Sequence, residues 1–292
     1  MTGHEINNPR LAFLVFRSRS GSTLFGDRLS RHPEVLVTPE SNLAPKLIKY
    51  LGSRRVELLS ARSIADHMLL ETKFRQWGLS RQDLVNILQN YKLHHWASIL
   101  QLICRAFRDH KKPGAKVVVI KNSGWYYKNL GFLLSVFPGS RAVSVIRDPR
   151  AVFNSARKAL HSEKGKPLAW NVLSNSLGWC RYVKILEETE LKHPGLICTI
   201  KYEDIVNNLP DSLNTAWKAL GVRQLQRSHV SNIMFKIDGS HLVSKAAAHL
   251  HPNVLKEPMP GLTQKWRSEL PRWQALLIRY VCRHGMRKYW YK

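Results

Sequence analysis

Leu11-Ala12-Phe13-Leu14-Val15-Phe16 leads into Arg17-Ser18-Arg19-Ser20-Gly21-Ser22-Thr23 and then into Leu24-Phe25-Gly26-Asp27-Arg28-Leu29. Six successive apolar residues predict a strand buried on both faces, the kind found in a parallel sheet. Leu24, Phe25 and Leu29 recur at helical spacing, so a helix is expected to open just past Gly21. A strand, a short loop and a helix start bring backbone N–H groups and the helix dipole to bear on an anion. Ser22 and Thr23 can add hydroxyl donors, and Arg19 a planar fork of charge. Ser and Thr there also suit ordinary helix capping. Arg17 and Arg19 tip the balance toward an anion, because two like charges crowded into so short a loop are costly without a counter-charge.

The loop departs from the nucleotide-triphosphatase pattern G-x-x-x-x-G-K-[ST]. Only Gly21 is present and no lysine follows it. A phosphate-bearing ligand held without magnesium fits better, with no metal site.

The chain has 292 residues, 44% of them hydrophobic, which is enough for a sizeable core. Forty-six Lys and Arg against 20 Asp and Glu give a net charge of +26, so a polyanionic partner is expected. Cys104, Cys180, Cys198 and Cys282 lie far apart in sequence and read as reduced core thiols. No apolar run approaches the roughly 18 residues of a membrane span, and the expected location is the cytoplasm.

Further along, Val35-Leu36-Val37-Thr38 reads as a second strand broken by Pro39-Glu40-Ser41-Asn42. Glu40 stands just past a strand's carboxyl end, where α/β sheets place their ligands; capping the next helix is its other role. Residues 43 to about 110 carry apolar positions three and four apart, such as Leu84, Ile87, Leu88, Tyr91 and then Trp96, Ile99, Leu100, Ile103. They predict a helical insertion that could serve as a lid or an acceptor-binding wall. His94-His95 reads as a solvated pair.

Lys116 to Ile120 is a third buried strand, followed by Lys121, either a solvated terminator or a site residue on the same sheet edge as Arg19 and Glu40. Helices are expected over Tyr127–Phe137, Ala151–Leu160, about Pro167–Leu191, Leu209–Gly221 and Trp266–Met286, with a surface loop over His241–Met259. Further strands cover Arg141–Ile146 and Leu196–Ile200. Arg147-Asp148-Pro149-Arg150 closes the fourth strand. Asp148 and Pro149 suit a helix cap and first helical position, which leaves Arg147 unexplained. Ser155, eight residues on, can return over the strand end so that Arg147 and Ser155 grip one phosphate.

Strand, basic loop and helix, then strand, Arg-Asp-Pro-Arg and helix with a serine eight later, resemble the sulfotransferases that use 3′-phosphoadenosine 5′-phosphosulfate (PAPS). Arg19-Ser20-Gly21-Ser22-Thr23-Leu24 resembles their 5′-phosphosulfate loop, with Arg17 just ahead of it. Arg147 to Ser155 resembles their 3′-phosphate site, and Lys201-Tyr202-Glu203-Asp204-Ile205 their late strand end. His32-Pro33-Glu34-Val35 before Glu40 brings the match nearer to the carbohydrate and tyrosylprotein branches. The chain is expected to form one domain over residues 1–292, with the insertion after its second strand. The resemblance, which spans roughly residues 11–221 and leaves out the insertion, implies a three-layer P-loop-like parallel sheet. It implies Glu40 as general base and Arg19 and Lys121 as stabilisers of transferring and leaving groups. Arg17, Arg19, Ser20, Gly21, Ser22, Thr23, Leu24, Arg147 and Ser155 would bind the cofactor, with basic side chains in place of a metal.

The acceptor implied is a hydroxylated, anionic glycan; a tyrosine in an acidic peptide and a small metabolite are the alternatives. A P-loop kinase would need the missing lysine signature. A nucleic-acid binder would gather its charge into one stripe, whereas here it is spread along the chain.

Overall fold

The computed structural model describes residues 8–52, 59–89, 95–160, 165–228, 230 and 260–292. Five strands, β1 (Arg10–Phe16), β2 (Val35–Val37), β3 (Val117–Asn122), β4 (Arg141–Ile146) and β5 (Ile197–Lys201), form one sheet in the order β2-β3-β1-β4-β5. Every pairing is parallel. The chain leaves β1 toward one edge and later leaves β4 toward the other, so the order reverses between these neighbours. Ligands of open α/β sheets bind at such a switch point, beyond the strands' carboxyl ends.

Alternation along β1 feeds two cores. Ala12, Leu14 and Phe16 pack with Phe25 and Leu29 of α1 (Ser22–Leu29) and with Leu213 and Trp217 of α11 (Leu209–Ala219). Leu11, Phe13 and Val15 face the other side. There lie α2 (Leu43–Gly52), α3 (Ala61–Leu69), α4 (Arg81–Gln89), α5 (Trp96–Lys111), α6 (Trp125–Lys128), α7 (Leu130–Val136) and part of α9 (Val172–Lys192). The expected insertion is therefore part of the core, since Ile64, Trp77, Leu84 and Phe107 are fully buried in the cluster that holds Phe13. A third cluster joins α8 (Pro149–Lys158) and α9 to the C-terminal helices. α10 (Tyr202–Asn207) follows β5 directly.

Several expectations are corrected. β3 runs two residues beyond Ile120, because Lys121 and Asn122 pair with Leu14 and Val15 of β1. Lys121 is therefore inside the sheet and 2% exposed, which removes the solvated-terminator role. The helix expected over Tyr127–Phe137 is broken at Asn129. The one expected from Pro167 begins at Val172, capped by Asn171, with Pro167 instead bridging Leu160. Trp266–Met286 divides into Trp266–Glu269, Arg272–Val281 and Arg283–Lys288, interrupted at Pro271 and Cys282.

His95 caps α5, its Nδ1 accepting from the Ala97 amide at 3.2 Å; His94 lies outside the described residues. So do Tyr91 and the loop expected over His241–Met259. All four cysteines are free, Cys104 and Cys282 buried and Cys180 and Cys198 half-buried. No described helix is long and apolar enough to cross a membrane.

Candidate active site

The loop after β1 is shaped by two left-handed residues, Arg19 (φ 71°) and Gly21 (φ 80°). Gly21 is required twice over. Its φ favours glycine, and a Cβ there would lie 2.2 Å from the Tyr202 ring. α1 opens immediately afterwards with Ser22 and Thr23 buried in its first turn, so its unpaired amides and dipole meet the loop. Ser20 is buried beneath them, and Leu24 anchors the turn in the α1 core.

The turn after β4 interlocks with this loop. Arg19 Nε donates to Ser155 Oγ at 3.0 Å, and an Arg147 guanidinium nitrogen donates to the Arg19 carbonyl at 3.0 Å. Arg147 stacks over Tyr202, 4.4 Å from the ring centre. Two guanidinium groups, a serine hydroxyl and a helix start thus converge from opposite sides of the switch point. Burial first, and then the neighbouring Arg147 charge, pull Arg19 below the usual arginine pKa, with Tyr202 acting in the opposite sense. An oxyanion would relieve both costs.

α9 and the C-terminal segment hold this turn from behind. Trp179 Nε1 donates to the Arg147 carbonyl at 3.0 Å, and the Tyr182 hydroxyl donates to the Val15 carbonyl at 3.1 Å. Asp148 caps α8 by accepting from the Arg150 amide at 2.8 Å, and its carboxylate takes a forked ion pair from the same arginine. Glu203 accepts from the Asp148 amide at 3.1 Å and from the Tyr291 hydroxyl at 2.9 Å.

Beyond β3 and β2 the site continues more openly. Lys121 Nζ donates to Thr23 Oγ1 at 3.3 Å and lies over Phe16, linking β3 to the first turn of α1. Burial lowers its pKa, partly countered by the Glu40 carboxylate, while Lys73 lowers it further. Glu40 accepts from Ser123 Oγ at 3.1 Å and faces the Lys73 ammonium at 3.5 Å, its side chain 29% exposed.

Arg17 stands apart from these groups. It follows the parity of Phe13 and Val15, and its guanidinium packs against Gly178 of α9, where a Cβ would come within 2.5 Å. Arg19, Arg147, Ser155, Gly21, Ser22 and Thr23 thus form one cluster, with Lys121 touching it and Glu40 beyond. Tyr202, Lys73, Trp179 and Tyr182 were not foreseen as site residues. Only Tyr202 carried a signal, lying in the late strand-end segment Lys201 to Ile205.

The family model described as "Sulfotransferase family" matches residues 12–226. The chain belongs to the sulfotransferase family. That makes it a transferase that uses PAPS. Among solved structures, the sulfotransferase domain of the Synechococcus PCC 7002 olefin synthase aligns with a TM-score of 0.59 and 19% identity, covering 96% of each chain. The sulfotransferase domain of the curacin biosynthetic pathway aligns with a TM-score of 0.59 and 17% identity over 93% of this chain and 96% of that one. Mouse sulfotransferase SULT7A1 complexed with PAP aligns with a TM-score of 0.48 and 15% identity over 95% and 85%. No curated protein shows a sequence match to this chain.

For this sulfotransferase the donor set fits a doubly phosphorylated nucleotide. A helix start with hydroxyls suits a phosphosulfate, and the Arg147–Ser155 side suits a second phosphate. Among the described residues no group of three or more His, Cys, Asp and Glu is placed to hold a metal ion.

Proposed function

We propose that the protein moves a sulfuryl group from PAPS to a hydroxyl of an anionic carbohydrate. One domain over residues 1–292 carries the reaction, in the cytoplasm. The observation that carries this reading is the interlock of Arg19, Arg147 and Ser155 around the N-terminus of α1. Bound there, the cofactor supplies an activated sulfuryl group and leaves as adenosine 3′,5′-bisphosphate (PAP).

The amides at Gly21–Thr23, with the Ser20, Ser22 and Thr23 hydroxyls and Arg19, hold the 5′-phosphate and neutralise the charge it gains on leaving. Leu24 keeps that turn seated in the core. Arg147 and Ser155 hold the 3′-phosphate, which separates this nucleotide from ADP. Lys121 reaches the first turn of α1 from β3 and meets the transferring oxygens. Glu40 takes the acceptor's proton, with Ser123 and Lys73 orienting its carboxylate. Arg17, although in the same loop, turns away from the cofactor cluster and belongs to the acceptor side.

A carbohydrate acceptor is supported by the run His32-Pro33-Glu34-Val35 ahead of Glu40 in sequence, which resembles the carbohydrate and tyrosylprotein branches, and an anionic one by the +26 charge. The test is transfer of labelled sulfate from PAPS to three acceptor sets: uronate-containing or sulfated glycans, tyrosine in acidic peptides, and small hydroxylated metabolites. Labelling of the glycans in preference to the others is expected. Labelling confined to peptides or metabolites would overturn the acceptor assignment and leave the transfer chemistry standing.

A further inference from the structure

A cavity of about 660 Å³ opens between α6 and the N-terminal half of α9. Arg17, Lys128 and Arg181 line it together with Asn171, Ser174 and Leu177, and among the described residues no carboxylate does. Among the described residues none of these three cations has an ion-pair partner, whereas many other basic side chains, such as Arg28, Arg81 and Arg150, sit against an acid. Arg17 Nε is buried and has no hydrogen-bond partner among the described residues. Gly178 makes room for its guanidinium, because any side chain there would collide with it. An unpaired buried donor is costly, and three like charges around one cavity repel one another. Both costs are offset when an oxyanion enters.

This cavity is distinct from the cofactor cluster yet adjoins it. Arg17 and Arg19 are two residues apart, so their backbones are at most about 7 Å from each other. Arg17 points to the α9 side of the sheet edge and Arg19 to Ser155. Leu173 and Leu177 add an apolar wall, and Asn171 and Ser174 supply amide and hydroxyl groups. Such a mixture suits a sugar ring carrying one charged substituent.

We propose that the Arg17–Lys128–Arg181 cavity is a second anion site, which takes a carboxylate or sulfate already present on the acceptor. It rests on the sulfotransferase function above and specifies its substrate class. The site selects acidic acceptors by anchoring their charge on the α9 side while the hydroxyl faces Glu40.

The test uses the PAP-saturated protein and a variant carrying Lys128→Ala and Arg181→Ala, both exposed positions. Inorganic sulfate and glucuronate are titrated calorimetrically at constant ionic strength set with chloride. The wild type is expected to bind at least one of them saturably, sulfate if the site prefers a sulfate ester and glucuronate if it prefers a carboxylate. The double variant is expected to bind at least 10-fold more weakly while holding PAP unchanged. With an acidic acceptor, KM should rise by at least 10-fold at nearly constant kcat, and a neutral analogue should be indifferent. Equal anion binding by wild type and variant would place the anion outside the Arg17–Lys128–Arg181 cavity and overturn the inference. Absence of any saturable anion site on a PAP-binding wild type would overturn it too, leaving the sulfotransferase reading intact. A wild type that fails to bind PAP would overturn both.

Discussion

The cofactor edge and the acceptor side differ in how they are held. Around Arg19 the two loops are fastened to each other through Ser155, the Arg19 carbonyl and the Tyr202 ring. Around Glu40 and Arg17 the groups are less tightly fastened, with Lys73 and Lys128 exposed and the Arg17 Nε without a hydrogen-bond partner among the described residues. A preorganised donor set stabilises leaving-group charge without reorganising at the moment of transfer. An open side accepts a larger and more variable molecule. Affinity for the cofactor should therefore reside in the first region, and turnover and acceptor choice in the second.

Substitutions can break this division, and the largest effect is expected at Gly21. Gly21→Ala combines a strained φ with a Cβ 2.2 Å from Tyr202. The ring must leave Arg147, and PAP affinity measured by calorimetry should fall on the order of 10³-fold. Arg147→Ala should weaken PAP by about 10²-fold, the loss expected for a charge-assisted contact. Glu40→Gln probes the other region: kcat should fall by about 10²-fold with PAP affinity unchanged. A Glu40→Gln enzyme with full turnover would remove Glu40 from the role of base.

Lys121 joins the two regions, and pH sharpens its part. Burial lowers its pKa, so as pH rises the ammonium is lost below the usual lysine value of about 10.4. The rate of sulfuryl transfer from PAPS should decline on the alkaline side before that pH is reached, and Lys121→Met should show no such limb. The smallest effect is expected for Ser155→Ala, about fivefold in PAP affinity, as for one neutral hydrogen bond.

Much of the cofactor edge was legible in the sequence because it is local. Six apolar residues, a glycine and helical spacing predict strand, loop and helix without reference to the rest of the chain. The Arg147–Ser155 spacing works in the same way, since Arg147 directly follows β4 and Ser155 lies in the helix that comes next. The parallel sheet followed from strands too apolar to have a solvated face. What was not legible depends on packing between distant elements. That Tyr202 closes against Gly21, or that Lys73 reaches Glu40, is set by how β5 and the insertion dock. Lys121 looked like a residue past its strand because a charged side chain normally ends a buried run. Pairing with Leu14 and Val15 carries the strand further, and Thr23 and Glu40 compensate the buried ammonium. Arg17 shares a loop with Arg19, but only the parity of β1 and the gap at Gly178 show that it faces α9.

The central claim is that the interlocked loops form a two-phosphate site. Calorimetric titration of the protein with PAP, without magnesium and with ADP as control, tests it most directly. PAP is expected to bind about 10- to 100-fold more tightly than ADP, and Arg147→Ala should erase the preference. Equal affinity for the two nucleotides, or binding of neither, would contradict the account.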